Sequence, residues 1–169
     1  ILAVSGRLDR SMGAAHPFPR PFEWGFSQHV PFGETYDHRL RSVYLMTPRI
    51  RRHPFLALFD GADPNASTAD RAGTTVPTQA LFFMNDQMIH EASVEWAGRL
   101  QELAADDSER LRLAWRRALL REPEAEELQE AEEFMRVYAS QAAVVDGSRK
   151  ALEAVLRTLL GSNDFLYVD

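Results

Sequence analysis

The 169-residue chain contains no cysteine, a single lysine and, beyond Pro77, only one further proline. Without cysteine there are no disulfide staples, no thiolate-ligated zinc, no iron–sulfur cluster and no thiol nucleophile. The redox compartment stays open, because a cysteine-free core of this size is stable in either. Long apolar runs are missing too. None exceeds the five residues of Ala80–Met84, whereas a membrane span takes about 20. No charged-then-apolar leader opens the chain at Ile1, so the sequence reads as a piece of a longer polypeptide, with any signal peptide upstream. The shortage of lysine leaves arginine as the cation, a planar fork suited to carboxylates.

What is present divides in two. An apolar content of 45% with 26% charge fits a folded domain, and the length fits one domain over 1–169. The net charge of −6 conceals an asymmetry. Residues 1–75 carry nine Arg against seven Asp/Glu, a net of +2, while residues 76–169 carry ten Arg/Lys against eighteen, a net of −8. A loop-rich Arg/aromatic segment, 1–76, therefore precedes an acidic helical segment, 77–169.

From Gly6 to Asp37 no helical or strand period survives, since Pro17, Pro19, Pro21 and Pro31 interrupt every element. Phe18, Phe22, Trp24, Phe26, Phe32 and Tyr36 nevertheless crowd this stretch. The pattern predicts an extended strap whose rings insert into a neighbouring core. Exposed rings among Phe18, Phe22, Trp24 and Phe26 would form an apolar patch, and a homodimer through it is expected. Ser42–Met46 predicts a short extended piece, and Pro54 opens a short helix through Phe59.

The second segment has helical periods. Leu81, Met84, Met88, Ala92, Trp96, Leu100 and Leu103 predict one helix from Pro77 to about Ala104. Asp106 and Glu109 have capping-box spacing ahead of the stripe Leu111, Ala114, Trp115, Ala118, Leu119. Pro123 restarts a helix lined by Leu128, Ala131, Met135, Tyr138 and Ala142. Leu152, Val155, Leu156 and Leu159 form a fourth stripe, closed by Gly161, and Phe165–Val168 are too apolar for a loose tail. The fold class is all-α: an irregular Pro/aromatic-rich N-terminal strap packed on a bundle of about four helices, with Trp96, Trp115, Met135 and Leu156 buried.

Chemistry-bearing motifs are few. The five histidines form no i, i+4 pair on a helix, which argues against zinc. Asp63-x-Asn65-x-Ser67 resembles the start of a calcium loop, but Thr68 and Thr74 stand where such a loop needs Gly and Glu. Arg39, Arg41, Arg49, Arg51 and Arg52 cluster, which reads as internal pairing to Asp60, Asp63 and Asp70. The helix after Arg121-Glu122-Pro123 is too acidic to approach phosphate, so nucleic acid is not a partner. No G-x-S-x-G supports a serine nucleophile. The densest polar stretch is FDGADPNASTADRAGTTVPTQALFFMND, residues 59–86. Two readings of it stay open. Its side chains cap turns and the Pro77 helix, with Arg41, Arg49 and Arg71 converging on Asp60 and Asp63. Alternatively, the same groups hold an anion such as a sulfate, phosphate or uronate, or a sugar.

RSVYLMTPRIRRHPFLALFDGADPNAS (41–67) with TTVPTQALFFMND (74–86) resembles the C-terminal domain of a large bacterial family best known from planctomycetes, the domain of unknown function numbered fifteen fifty-three. SGRLDRSMG (5–13), QHVPF (28–32), LAWRRALLREPEAEEL (113–128) and SNDFLYVD (162–169) extend the resemblance over nearly the whole chain. It implies a secreted or periplasmic multidomain protein with an upstream partner domain and often a cytochrome-c-like domain. Any haem would lie there, since no C-x-x-C-H is present, and no cofactor is expected in this chain. The family's polar signature falls on Arg41, Ser42, Tyr44, Arg49, Asp60, Asp63, Asn65, Ser67, Arg71, Thr75, Gln79 and Asn85. Val30, Gly73 and Ala14 depart from its usual residues. The expected binding set is Arg41, Tyr44, Arg49, Asp60, Asp63, Asn65, Arg71, Gln79 and Asn85. The resemblance implies no reaction, so two functions stand: an accessory module, or part of a polysaccharide-active enzyme.

Overall fold

In a computed structural model of the chain, which describes residues 1–16, 18–30, 32–34, 36–67, 69–70, 73–141 and 146–167, the helices are α1 (Pro54–Leu58), α2 (Pro77–Asn85), α3 (Gln87–Leu103), α4 (Asp107–Leu119), α5 (Ala125–Gln141), α6 (Gly147–Leu160) and α7 (Asn163–Leu166). The all-α expectation holds. The single helix predicted from Pro77 to Ala104 is in fact two. Asp86 leaves helical geometry (φ −69°, ψ 137°), and its carboxylate accepts the Met88 N–H at 2.8 Å, capping α3. The break shifts the face that packs. Leu81, Met84 and Leu103, placed on the predicted stripe, are exposed, and the core takes Phe83, Ile89, Ala92, Trp96, Ala97 and Leu100.

The chain divides into two units, Ile1–Arg7 with Ala80–Asp169, and Leu8–Gln79. In the first, α6 packs on α3 and α5, α4 packs on all three, and α7 closes on α4 and α6. Leu152, Val155, Leu156, Leu159 and Leu160 of α6 are buried, as are Leu111, Ala114 and Trp115 of α4 and Ala131 and Met135 of α5. Trp96, Trp115, Met135 and Leu156 thus occupy the core as the periodicity predicts. Ala142 and Val168 lie outside the described residues. Asp106 caps α4 by accepting the Glu109 N–H at 3.2 Å. The periodicity missed Glu153, which is 2% exposed on the apolar face of α6. Its carboxylate meets Lys150, the lone lysine, at 2.8 Å and Arg149 at 3.3 Å.

Two further devices hold this unit. Gly6 adopts φ +74°, and a Cβ there would collide with the Arg99 guanidinium, so the N-terminal turn and α3 approach closely only through glycine. Beside it the largely buried Arg7 donates to Glu91 at 2.6 Å. At the α4–α5 junction Leu120 takes a left-handed conformation (φ 57°). The turn aims Arg121 at both oxygens of Glu127 (2.7 and 2.8 Å) and at Asp164 of α7 (2.9 Å). Glu127 also accepts the Glu124 N–H at 2.8 Å. The Arg121 fork holds the Glu127 carboxyl at about 2, well below its ordinary 4.5.

Leu8–Gln79 is built differently. Pro21–Glu23 and Ser42–Tyr44 are single 3-10 turns, and the second replaces the extended piece expected at Ser42–Met46. Val43 cannot alternate inward there, because Tyr44 and Leu45 close i→i−3 hydrogen bonds on Arg41 and Ser42 (2.9 and 3.0 Å). An isolated parallel bridge joins Asp9 to Leu40. The rings of the strap pack on one another: Phe18 lies 6.1 Å from Trp24, 6.0 Å from Phe26 and 4.6 Å from Phe32. Trp24 is pinned by its indole N–H on the Pro19 carbonyl (2.9 Å). Phe18, Phe22 and Trp24 nonetheless stay exposed, while Phe26 is half-buried. Among the described residues of this unit only His53 is buried.

Two outcomes follow from this packing. Gly6→Ala should destabilise the protein by about 1–2 kcal/mol, and combining it with Arg99→Ala should cost less than the two separately, because the collision disappears. Thermal melts of the three variants decide it; strict additivity would refute the close approach. The Arg121–Glu127 pair fixes a pH dependence. A carboxylate held low when folded adds stability fully above pH 4.5 and loses it as pH falls towards about 2. The Tm gap between wild type and Glu127→Gln should therefore be widest near neutrality and shrink across that window. A gap unchanged by pH would contradict the pairing.

Candidate functional site

The polar block predicted from sequence gathers around the two ends of α1. At its N-terminus His53 supplies the cap position ahead of Pro54, and its Nε2 lies 2.9 Å from Asp37 Oδ1. At its C-terminus Asp60 turns left-handed (φ 54°), and the Gly61 N–H returns to the Leu56 carbonyl at 2.6 Å, closing the helix. Aspartate tolerates this conformation because its short side chain can bond locally. Here the carboxylate accepts the Thr74 N–H at 2.7 Å and the Thr74 hydroxyl at 2.9 Å. The loop that leaves α1 is thereby drawn back to its own start.

The following residues complete the frame. Asp63 accepts the Asn65 N–H at 2.9 Å in an Asx turn, and Asn65 Nδ2 donates to the Arg49 carbonyl at 2.8 Å. Arg52 donates to the Gly61 carbonyl at 2.9 Å and lies 4.0 Å from Asp63. Gln79 serves twice. Its Oε1 accepts the Val76 N–H at 3.2 Å, the return half of a capping box at the start of α2, and its Nε2 donates to the Leu58 carbonyl at 3.0 Å. Asn85 Nδ2 donates to the Leu81 carbonyl at 3.1 Å within α2.

Arg41 and Arg49 do not join this frame. Arg41 folds over Tyr44, 5.6 Å from its ring centroid and 3.3 Å from its hydroxyl. The Tyr44 ring in turn lies against Gly13, where a Cβ would come within 2.7 Å of it. Arg49 contributes its carbonyl, and its exposed guanidinium has no carboxylate partner among the described residues. The expected convergence of Arg41 and Arg49 on Asp60 and Asp63 is therefore not formed. The reason is local: Asp60 is turned towards Thr74 by its backbone, and Asp63 closes its own turn. Arg71 lies outside the described residues. Arg52, expected with its cluster to pair with carboxylates of this loop, does reach Asp63. His53 and Thr74 were missed by the sequence reading, although His53 stands directly before the first-turn Pro54, where a cap is expected.

Within the helical unit an open pocket of about 580 Å³ lies between the end of α4 and α7, lined by Leu119, Leu120, Arg121, Asp164, Phe165 and Tyr167. Its cation, Arg121, is already satisfied by Glu127 and Asp164. The pocket thus mixes polar and apolar walls, with its Arg121 charge already matched. Among the described residues no three His, Asp or Glu side chains are placed to hold a metal ion, and no helix is long and apolar enough to cross a membrane.

No curated protein and no solved structure matches the chain. A family description does, and it covers the strap, the α1 frame and the helices through most of α5. Over residues 1–135 the chain belongs to the family described as protein of unknown function (DUF1553).

Proposed function

We propose that the chain is a non-catalytic accessory module of an extracytoplasmic multidomain bacterial protein, periplasmic or secreted, that docks neighbouring domains of the same polypeptide. The use made of the polar block carries this reading. Asp60, Asp63, Asn65, Gln79 and Asn85 each close a turn or a helix end. Groups spent on backbone in this way are positioned for folding rather than for a ligand. What the surface offers instead is apolar, with Phe22, Val43, Ile50 and Trp24 all exposed. Any haem of the whole protein would belong to an upstream cytochrome-c-like domain.

A second reading has one observation in its favour. Arg41 and Arg49 are exposed and lack a carboxylate partner among the described residues. In that reading they bind an anionic polysaccharide for a hydrolytic or oxidative enzyme. A screen of the full-length protein against sulfated and neutral glycans separates the two. The docking reading expects no binding that Arg41→Ala or Arg49→Ala removes. It also expects Asp60→Ala to cost roughly 1–3 kcal/mol, several degrees of Tm in a chain of this length. Saturable binding of a sulfated glycan, lost in Arg41→Ala and retained in Asp60→Ala, would replace it with the second reading.

A further inference from the structure

We infer that Leu8–Gln79 is a self-association surface: in a reciprocal dimer its arginines and exposed apolar side chains seat on the acidic outer face of α5 of a second copy. The inference rests on the docking reading above and names the partner. Its first support is a contrast in charge pairing. In Ile1–Arg7 with Ala80–Asp169 the cations are paired, from Arg7 on Glu91 to Lys150 on Glu153, and among the described residues only Arg117 and Arg157 stand outside an ion pair. Among the described arginines of Leu8–Gln79 only Arg52 reaches a carboxylate, Asp63 at 4.0 Å. Arg10, Arg20, Arg39, Arg41, Arg49 and Arg51 are exposed and make no ion pair among the described residues.

The second support is what stands beside those arginines. Met12 follows Arg10, Phe22 follows Arg20, Val43 follows Arg41, and Ile50 sits between Arg49 and Arg51; these four apolar side chains are 63–84% exposed. Apolar groups alternating with unpaired Arg, and no Lys, have the composition of the buried centre of a protein interface. A polyanion fits less well. Residues 8–79 carry eight Arg against seven Asp/Glu, a net of +1, and the whole chain is −6. Long-range attraction to phosphate or sulfate polymers is therefore weak, whereas short-range fork-to-carboxylate pairing needs no net charge.

The complementary surface is present on the same chain. Glu126, Glu130 and Phe134 follow at i, i+4 and i+8 along α5, so they share one face. Glu126 and Glu130 are exposed without an ion pair among the described residues. Phe134 is 44% exposed and lies 5.7 Å from the Tyr138 ring. Acidic groups leading to an aromatic pair are what an Arg-plus-apolar strap requires. Two copies can satisfy each other twice about a two-fold axis, each giving its strap and receiving on its α5.

A charge swap tests this on the full chain. Sedimentation analysis should find wild type in concentration-dependent monomer–dimer exchange. Arg41→Glu with Arg49→Glu in one variant, and Glu126→Arg with Glu130→Arg in another, should each weaken the dimer at least about tenfold. Mixing the two variants should restore it, because each mutated strap then meets a mutated helix of opposite sign. Circular dichroism and thermal melts confirm that each variant is folded. A wild type that stays monomeric, a dimer indifferent to both variants, or variants that fail to rescue each other would overturn the inference. So would sedimentation of wild-type monomers with anionic phosphatidylglycerol vesicles that the strap variant abolishes. None of these results touches the glycan screen, so the docking reading stands or falls separately.

Discussion

Burial of one face of α6 is the constraint on which the helical unit depends. Leu152, Leu156 and Leu160 are essentially removed from water, each contributing roughly 1.5–3 kcal/mol of transfer free energy. α3 and α5 are held on either side of that face. α4 and α7 pack on these helices, and their polar junctions lie at the edge of the core. Arg121 illustrates the order of dependence. Its bond to Asp164 exists only because α7 lies beside the end of α4, so the ion pairs report the packing more than they create it. Glu153 is the exception inside the face. Removing Lys150 would leave a buried carboxylate to Arg149 alone, which is why the lone lysine matters more than its half-exposed position suggests.

Leu8–Gln79 has no comparable face. Ordering a residue costs about 1–2 kcal/mol of backbone entropy, and a local hydrogen bond returns only about 0.5–1.5. The turns around α1, the Asp9–Leu40 bridge and the ring cluster organise the chain path, yet among the described residues of this unit only His53 is buried. Polar turns can specify one conformation among many without contributing enough to hold it. A segment in this position gains stability by covering its apolar side chains with another surface, which is the physical content of calling it a docking element.

The helices were legible because their signals are local and redundant. Apolar spacing, the Asp106 cap and Gly161 all agree at α4 and α6, and Trp115 and Leu156 fell inside as the pattern requires. The α2–α3 break was not legible, since Leu81, Met84 and Met88 keep helical spacing straight across Asp86. Only the competition between continuing the helix and capping a new one decides such a site, and Asp86 settles it through a single hydrogen bond. Around α1 the residue types were right and their pairing was not. Charge bookkeeping matched Arg41 and Arg49 to Asp60 and Asp63, but carboxylates in turns answer first to the backbone amides nearest them.

That rule explains why arginine behaves so differently in the two units. On a helix the geometry places a carboxylate three or four residues away on the same face, so Arg136 finds Glu133 and Arg149 finds Glu153 with little further ordering. In a loop the nearby carboxylates bond to turns, as Asp63 does to Asn65 and Asp60 to Thr74, and among the described arginines Arg41 turns to an aromatic face and Arg51 to a carbonyl. Unpaired arginine on a loop-rich segment is thus a by-product of how that segment folds. It becomes a binding feature where apolar side chains stand beside it, because a partner that dehydrates those side chains also strengthens every charge pair formed at their edge. Arg20 with Phe22 and Arg49 with Ile50 meet that condition, whereas the half-buried Arg157 at the end of α6, with no exposed apolar neighbour in sequence, does not.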